Sequence, residues 1–147
     1  LRDEVGLTEK QVIIRARWLP EEERFGLTIS NRAGSVSLPR IGVGPLREPL
    51  RQSCYYPFYK MMVDYTGEVL ICSNDWAKKL VVGDLNRAGL LEVWNAPLFN
   101  AARKRLVDKD RSQPPCNLCD VNGLYNGENH FAAWQRYYAA HPEAGGR

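Results

Sequence analysis

The chain has 147 residues, 44% of them hydrophobic and 25% charged, the profile of an ordinary folded domain rather than a disordered or collagen-like chain. No window approaches 18 uninterrupted apolar residues, and the first twenty residues, with Arg2, Asp3, Glu4, Glu9 and Lys10, lack the apolar stretch of a signal peptide. Twenty Lys and Arg against 17 Asp and Glu leave a net charge of +3, too weak a field to draw nucleic acid or anionic lipid to the whole surface. The expected setting is cytoplasmic, with no membrane partner.

The start at Leu1 suggests a segment of something longer. Residues 11–19 (QVIIRARWL) place Val12, Ile14, Ala16 and Trp18 on one parity, the period of a strand exposed on one face. Pro20 ends it, and residues 25–29 and 35–38 flank a turn at Asn31, Arg32, Ala33 and Gly34, which predicts a short hairpin. Residues 39–50, with Pro39, Gly42, Gly44, Pro45 and Pro49, read as a linker between two packed units. Two further strands are expected over residues 58–64 and 68–72, joined by Tyr65, Thr66 and Gly67, with Gly67 free to take a positive φ. A helical pattern then runs over residues 90–108, with Leu91, Trp94, Leu98, Ala102 and Leu106 as its apolar stripe and Pro97 dividing it in two. Residues 128–140 (ENHFAAWQRYYAA) predict a C-terminal helix docked by Phe131, Trp134 and Tyr138, and residues 143–147 a frayed end. The fold class is therefore α+β, in three segments: a β-rich start and linker (1–48), a cysteine-bearing unit (49–124), and a closing helix and tail (125–147).

The chemistry lies in the cysteines. Cys54, Cys72, Cys116 and Cys119 are all the chain has, spaced C-x17-C-x43-C-x2-C. In a cytosolic chain such thiols stay reduced, so metal ligation is the better reading than a disulfide framework. The hairpin of residues 58–72 returns Cys72 to the end of the sheet where Cys54 lies. Pro114 and Pro115 stiffen the knuckle that holds Cys116 and Cys119. Four converging thiolates suit an iron-sulfur cluster or a tetrahedral zinc. Zinc ribbons generally use two CxxC knuckles, and only one is present.

Cys54, Gly67 after twelve intervening residues, Cys72, the V-G-D-L-N run at residues 82–86, L-L-E-V-W-N at 90–95, Arg103 and the Cys116-x2-Cys119 knuckle together resemble the auxiliary-cluster extension of radical SAM enzymes, the SPASM domain or its shortened twitch form. The resemblance covers residues 54–120. It implies one 4Fe-4S cluster held by Cys54, Cys72, Cys116 and Cys119. The full SPASM pattern has further cysteines beyond the knuckle, and their lack favours the single-cluster twitch form found in some dehydrogenases of aminoglycoside-precursor alcohols. The CxxxCxxC motif of the radical-generating cluster is also absent from the 147 residues. S-adenosylmethionine and a second 4Fe-4S cluster are thus expected only in a partial (β/α) barrel that precedes this segment. That barrel, in cis, is the implied partner, with residues 1–38 as its end or exit segment and a small-molecule or peptide substrate. The chain alone should not cleave S-adenosylmethionine. With four thiolates every iron has its cysteine, so the implied role is to take an electron from a substrate radical or to position it. The other class of function is a structural zinc module that binds protein or nucleic acid.

Several residues carry a sharp and a bland reading. Tyr55, Asn74 and Asp75 are candidates for the shell around the cluster, although Asn74 and Asp75 also suit a polar turn that closes the strand. Tyr55, Tyr56 and Tyr59 suit an aromatic shield. Arg103, in a basic run with Lys104 and Arg105, reads as a solvated helix face. With Lys109 and Arg111 that run is the only support for nucleic-acid binding, and Asp108 and Asp110 dilute it. Lys78 and Lys79 read as surface charges, His130 and His141 as helix-face residues, Leu91 and Trp94 as core, and one of Met61 and Met62 as core.

Overall fold

The computed structural model describes residues 30–145. The strands expected over residues 11–19 and 25–29 lie outside the described residues. Within them the fold is α+β: a three-stranded antiparallel sheet and four helices in the order α1 (Tyr56–Tyr59), β1 (Met62–Val63), β2 (Glu68–Leu70), β3 (Val81–Asp84), α2 (Leu90–Trp94), α3 (Pro97–Val107) and α4 (Glu128–Ala140). The strands follow one another as a meander, with Met62 opposite Leu70, Glu68 opposite Asp84, and an irregularity between Val69 and Leu70.

The strand expected over residues 58–64 shrinks to Met62–Val63, and Phe58 and Tyr59 instead close the short helix α1. Pro57 sits in the first turn of α1, where its fixed φ suits a helix start and its missing N–H is no loss. Phe58 is buried there, and the chain extends only at Met62. The turn that follows is as expected. Gly67 takes φ +89°, and the Asp64 carboxylate accepts hydrogen bonds from the Thr66 N–H (2.8 Å), the Thr66 hydroxyl (2.6 Å) and the Glu68 N–H (3.2 Å). β3 has no counterpart among the expected elements. Its G-D-L-N end fastens that turn, since Asn86 Nδ2 donates to the Thr66 carbonyl (2.6 Å) and the Leu85 N–H to that of Gly67 (2.9 Å).

Pro97 divides the helical stretch as expected, at the first turn of α3. The face that it buries differs from the predicted stripe. Val93, Phe99, Ala102 and Leu106 point inward, while Leu91 is 72% exposed and Leu98 lies at the surface. The break at Asn95 and Ala96 interrupts the helical period, so a single stripe drawn through Pro97 puts Leu91 and Leu98 on the wrong side. Met62 is exposed and Met61 packs against the core.

Two apolar cores result. One joins Val69, Ile71 and Val82 of the sheet to Val93, Phe99 and Ala102 of the helices. The other joins Phe58, Leu106, Phe131 and Tyr138, so α4 docks by the predicted aromatic face. Of the end expected to fray (143–147), residues 143–145 join Pro142 in a 3-10 turn against α3, where Lys104 Nζ donates to the Pro142 carbonyl (2.8 Å). Residues 39–50, expected as a linker, hold a 3-10 turn at Pro39–Ile41, run irregularly beyond it and are pinned. The Leu46 N–H donates to the Leu118 carbonyl, and Asn31 Nδ2 bridges the carbonyls of Gly44 (2.8 Å) and Leu118 (2.6 Å). The predicted turn at Asn31 thus rests on the cysteine knuckle, and the Asn31 backbone N–H donates to both carboxylate oxygens of Asp120 as well (3.0 and 2.9 Å). Among the described residues no helix is long and apolar enough to cross a membrane.

Candidate metal centre

Each cysteine sits where a regular element stops. Cys54 lies two residues ahead of α1 and Cys72 two residues past β2. Cys116 and Cys119 bracket a 3-10 turn, closed by the Cys119 N–H donating to the Cys116 carbonyl (3.2 Å). All four are free thiols. The sheet register carries Cys72 back towards Cys54, and α3 returns the chain so that the knuckle meets both.

The four thiols share one neighbourhood. Burial pushes Cys116 up to about 12, and negative charge at Cys72, Cys54 and Cys119 adds to it. Burial also pushes Cys72 up to about 12, against the pull of the Asn74 N–H and with a further push from Cys54, Cys119 and Asp75. Cys54 and Cys119 rise for the same first reason, desolvation. Thiols held this way keep their protons unless a metal displaces them.

The surroundings favour thiolate ligands. A backbone N–H two residues on points at the sulfur of three cysteines: Tyr56 to Cys54, Asn74 to Cys72 and Val121 to Cys119. Such N–H···S bonds stabilise the anionic ligand and fix its rotamer. The Arg111 guanidinium opposes the desolvation of Cys54, Cys116 and Cys119. Gly123, at φ +78°, passes so close to Cys54 that a Cβ there would collide with Sγ. Among the described residues no three of His, Cys, Asp and Glu gather tightly enough to hold one metal ion. The donor set and its N–H cradle fit a thiolate-ligated cluster.

The expected shell residues divide. Asn74 supplies its backbone N–H to Cys72, while its side-chain oxygen accepts from Arg32 Nη1 (3.0 Å). Asp75 is buried and closes the strand by accepting from the N–H groups of Lys79 (2.9 Å) and Leu80 (2.8 Å), which is the polar-turn reading. Tyr55 turns away to pack on Phe131, centroid to centroid 4.7 Å, and its N–H bonds the Gly123 carbonyl. Tyr56 is the tyrosine that feels Cys54, Cys72 and Cys119, with Lys60 Nζ 3.8 Å from its ring centroid. Lys78, Lys79, His130 and His141 are exposed, as expected. A cavity of about 490 Å³ between β3 and α2, lined by Gly83, Asp84, Val93 and Pro97 among others, includes no cysteine.

Two arginines depart from their sequence reading. Arg103 is fully buried rather than on a solvated face: Nε donates to the Pro57 carbonyl (2.8 Å) and Nη1 to that of Trp94 (2.7 Å), with Trp94, Phe99 and Trp134 rings 4.0, 3.8 and 4.4 Å from its Cζ. Burial lowers it to about 10. Arg111 is buried too, so the basic run supplies no continuous patch for nucleic acid.

The SPASM model, an iron-sulfur cluster-binding domain, matches residues 54–120. Over that stretch the chain is similar to the SPASM family. The S-adenosyl-L-methionine-dependent 2-deoxy-scyllo-inosamine dehydrogenase of Niallia circulans is 30% identical over 95 residues, 64% of this chain and 36% of the relative. The crystal structure of BtrN in complex with AdoMet and 2-DOIA has a TM-score of 0.56 and 26% identity, covering 69% of this chain and 38% of that one. The chain spans little more than a third of the length of either protein. The SPASM match runs from Cys54 to one residue past Cys119, so it takes in all four cysteines.

Proposed function

We propose that Cys54, Cys72, Cys116 and Cys119 hold a single 4Fe-4S cluster, and that the chain is the auxiliary-cluster part of a radical SAM enzyme that oxidises a small alcohol such as an aminocyclitol. The observation that carries this reading is the convergence of four desolvated thiols, Cys119 buried and the others half-buried, three of them met by a backbone N–H. A single zinc ion needs its sulfurs about 2.3 Å from one point. A cubane instead takes one cysteine to each iron, which matches a set of four cysteines with a single CxxC knuckle. When bound, such a cluster supplies a one-electron acceptor.

The chain's own residues then have distinct tasks. Four thiolates complete the coordination and leave no iron open to substrate. The N–H groups of Tyr56, Asn74 and Val121 hold three of the sulfurs in place. Tyr56, under Lys60, covers the thiols from one side and limits the access of water. Making and positioning the substrate radical belongs to the barrel proposed to precede this segment, as the similarity to an S-adenosyl-L-methionine-dependent dehydrogenase supports.

The test is anaerobic reconstitution of the chain followed by iron, sulfide and zinc analysis. About four irons and four sulfides per chain, with a brown colour, are expected. Cys119→Ala should lose most of both. Stoichiometric zinc without sulfide in the parent, or a Cys119→Ala variant with the parent's full iron and sulfide, would overturn the assignment.

A further inference from the structure

Arg111 sits five residues ahead of the knuckle and is 2% exposed. Its bonds run to four carbonyls: Nε to Gln52 (3.0 Å), Nη1 to Val121 (2.8 Å), and Nη2 to Ser53 (2.8 Å) and Asn122 (2.7 Å). Gln52 and Ser53 lead directly into Cys54, and Val121 and Asn122 follow Cys119. One side chain therefore ties the two cysteine-bearing arms together, helped by Gln52 Nε2 donating to the Asn122 carbonyl (2.9 Å) and the Tyr55 N–H to that of Gly123 (2.8 Å). All the bonds that Arg111 makes are to neutral acceptors, and among the described residues no carboxylate pairs with it. A desolvated cation without a paired anion is costly unless something anionic lies nearby. The groups near it that become anionic on ligation are Cys54, Cys116 and Cys119. Asp75 beside Cys72 and Asp120 beside Cys119 act against it, and Lys60 acts with it near Cys54.

We infer that Arg111 is a positioning residue for the cluster, clamping both cysteine arms and supplying the buried positive charge that offsets its thiolates. This rests on the cluster reading above. Four thiolates make the assembly anionic, and one added electron makes it more so. A fixed cation beside it stabilises the reduced form more than the oxidised form and so raises the reduction potential. The cluster thereby becomes a better electron acceptor.

The experiment compares reconstituted parent, Arg111→Gln and Arg111→Lys chains in three readouts: iron and sulfide content, the rate of iron loss to a chelator, and the midpoint potential from a titration followed by EPR. Arg111→Gln should lose iron several-fold faster and titrate at a more negative potential. Arg111→Lys keeps the charge but not the planar fork, so it should lose iron faster at nearly the parent potential. An Arg111→Gln cluster with the parent's potential overturns the inference, whether or not its iron content falls, because a clamp without an electrostatic role would leave that value alone. If Arg111→Gln takes up no cluster, Arg111→Lys decides: loading near the parent level supports the charge, and failure to load overturns it. A parent that binds zinc and no sulfide removes the cluster reading itself, an outcome visible before any variant is compared.

Discussion

At Gly123 a single hydrogen atom separates close packing on Cys54 from a collision. Its φ of +78° disfavours any L side chain by about 1–2 kcal/mol, and Cys54 Sγ occupies the space that a Cβ would need. Gly123→Ala should therefore lower the denaturant midpoint of the apo chain and reduce iron uptake on reconstitution. A variant with the parent's midpoint and iron content would show that Cys54 moves aside freely. The cysteines stand out in the sequence as candidate ligands because their residue type alone marks them. Gly123 and Arg111 were not, since what each does is set by its neighbours. The carbonyls that Arg111 binds lie 10 and 11 residues ahead of it and 58 and 59 residues behind, separations that no local pattern encodes. Arg103 misled for the same reason. In a run of basic residues its burial depends on rings brought by α2 and α4.

The hairpin of β1 and β2 carries Cys72 back to Cys54, and an ion-pair cluster holds its turn. Lys78 pairs with both Asp64 and Glu68, and Thr66 donates to Asp64. The Lys78 ammonium and the Thr66 hydroxyl hold the Asp64 carboxyl down at about 2, against 3.8 ordinarily, while Asp64 and Glu68 raise Lys78. A carboxylate with a depressed folded-state value contributes stability above its unfolded value, and that contribution is lost as pH falls through the folded one. The difference in thermal midpoint between the parent and Lys78→Met should accordingly be full at pH 5 and fade between about pH 4 and pH 2. A difference that stays constant across that window would exclude Asp64 as its source. Elements were readable wherever a turn residue or a period settled the matter locally: Gly67, Pro97 and the aromatic face of α4 all stand as expected. The failures have a common cause. β1 and β3 are two and four residues long, too short for alternation to register, and β3 exists by pairing with β2 rather than by its own composition.

Across the described residues the thiols stand at the seam between two cores. Cys72 packs against the sheet core around Val69 and Ile71, while Cys54 and Cys116 pack against the helical core around Phe58 and Phe131. A second joint lies elsewhere, where Arg103 reaches from α3 to the Pro57 carbonyl and the rings of Trp94 and Trp134 meet 6.3 Å apart. Loading the thiols adds a cross-link that the unfolded chain lacks, so the free energy of ligation becomes free energy of folding. Because the Arg103 joint remains, the apo chain should stay compact. With one joint in place of two, its cores should part more readily. Unfolding of loaded and apo chains, followed by near-ultraviolet circular dichroism under anaerobic conditions, should show a single sharp transition for the first. The apo transition should be broader and lower by several degrees, at about 4–8 °C per kcal/mol lost in a domain of this size. Coincident midpoints and slopes would mean that the two cores hold each other through Arg103 and α4 alone, and that the cysteines serve the cluster without carrying the fold.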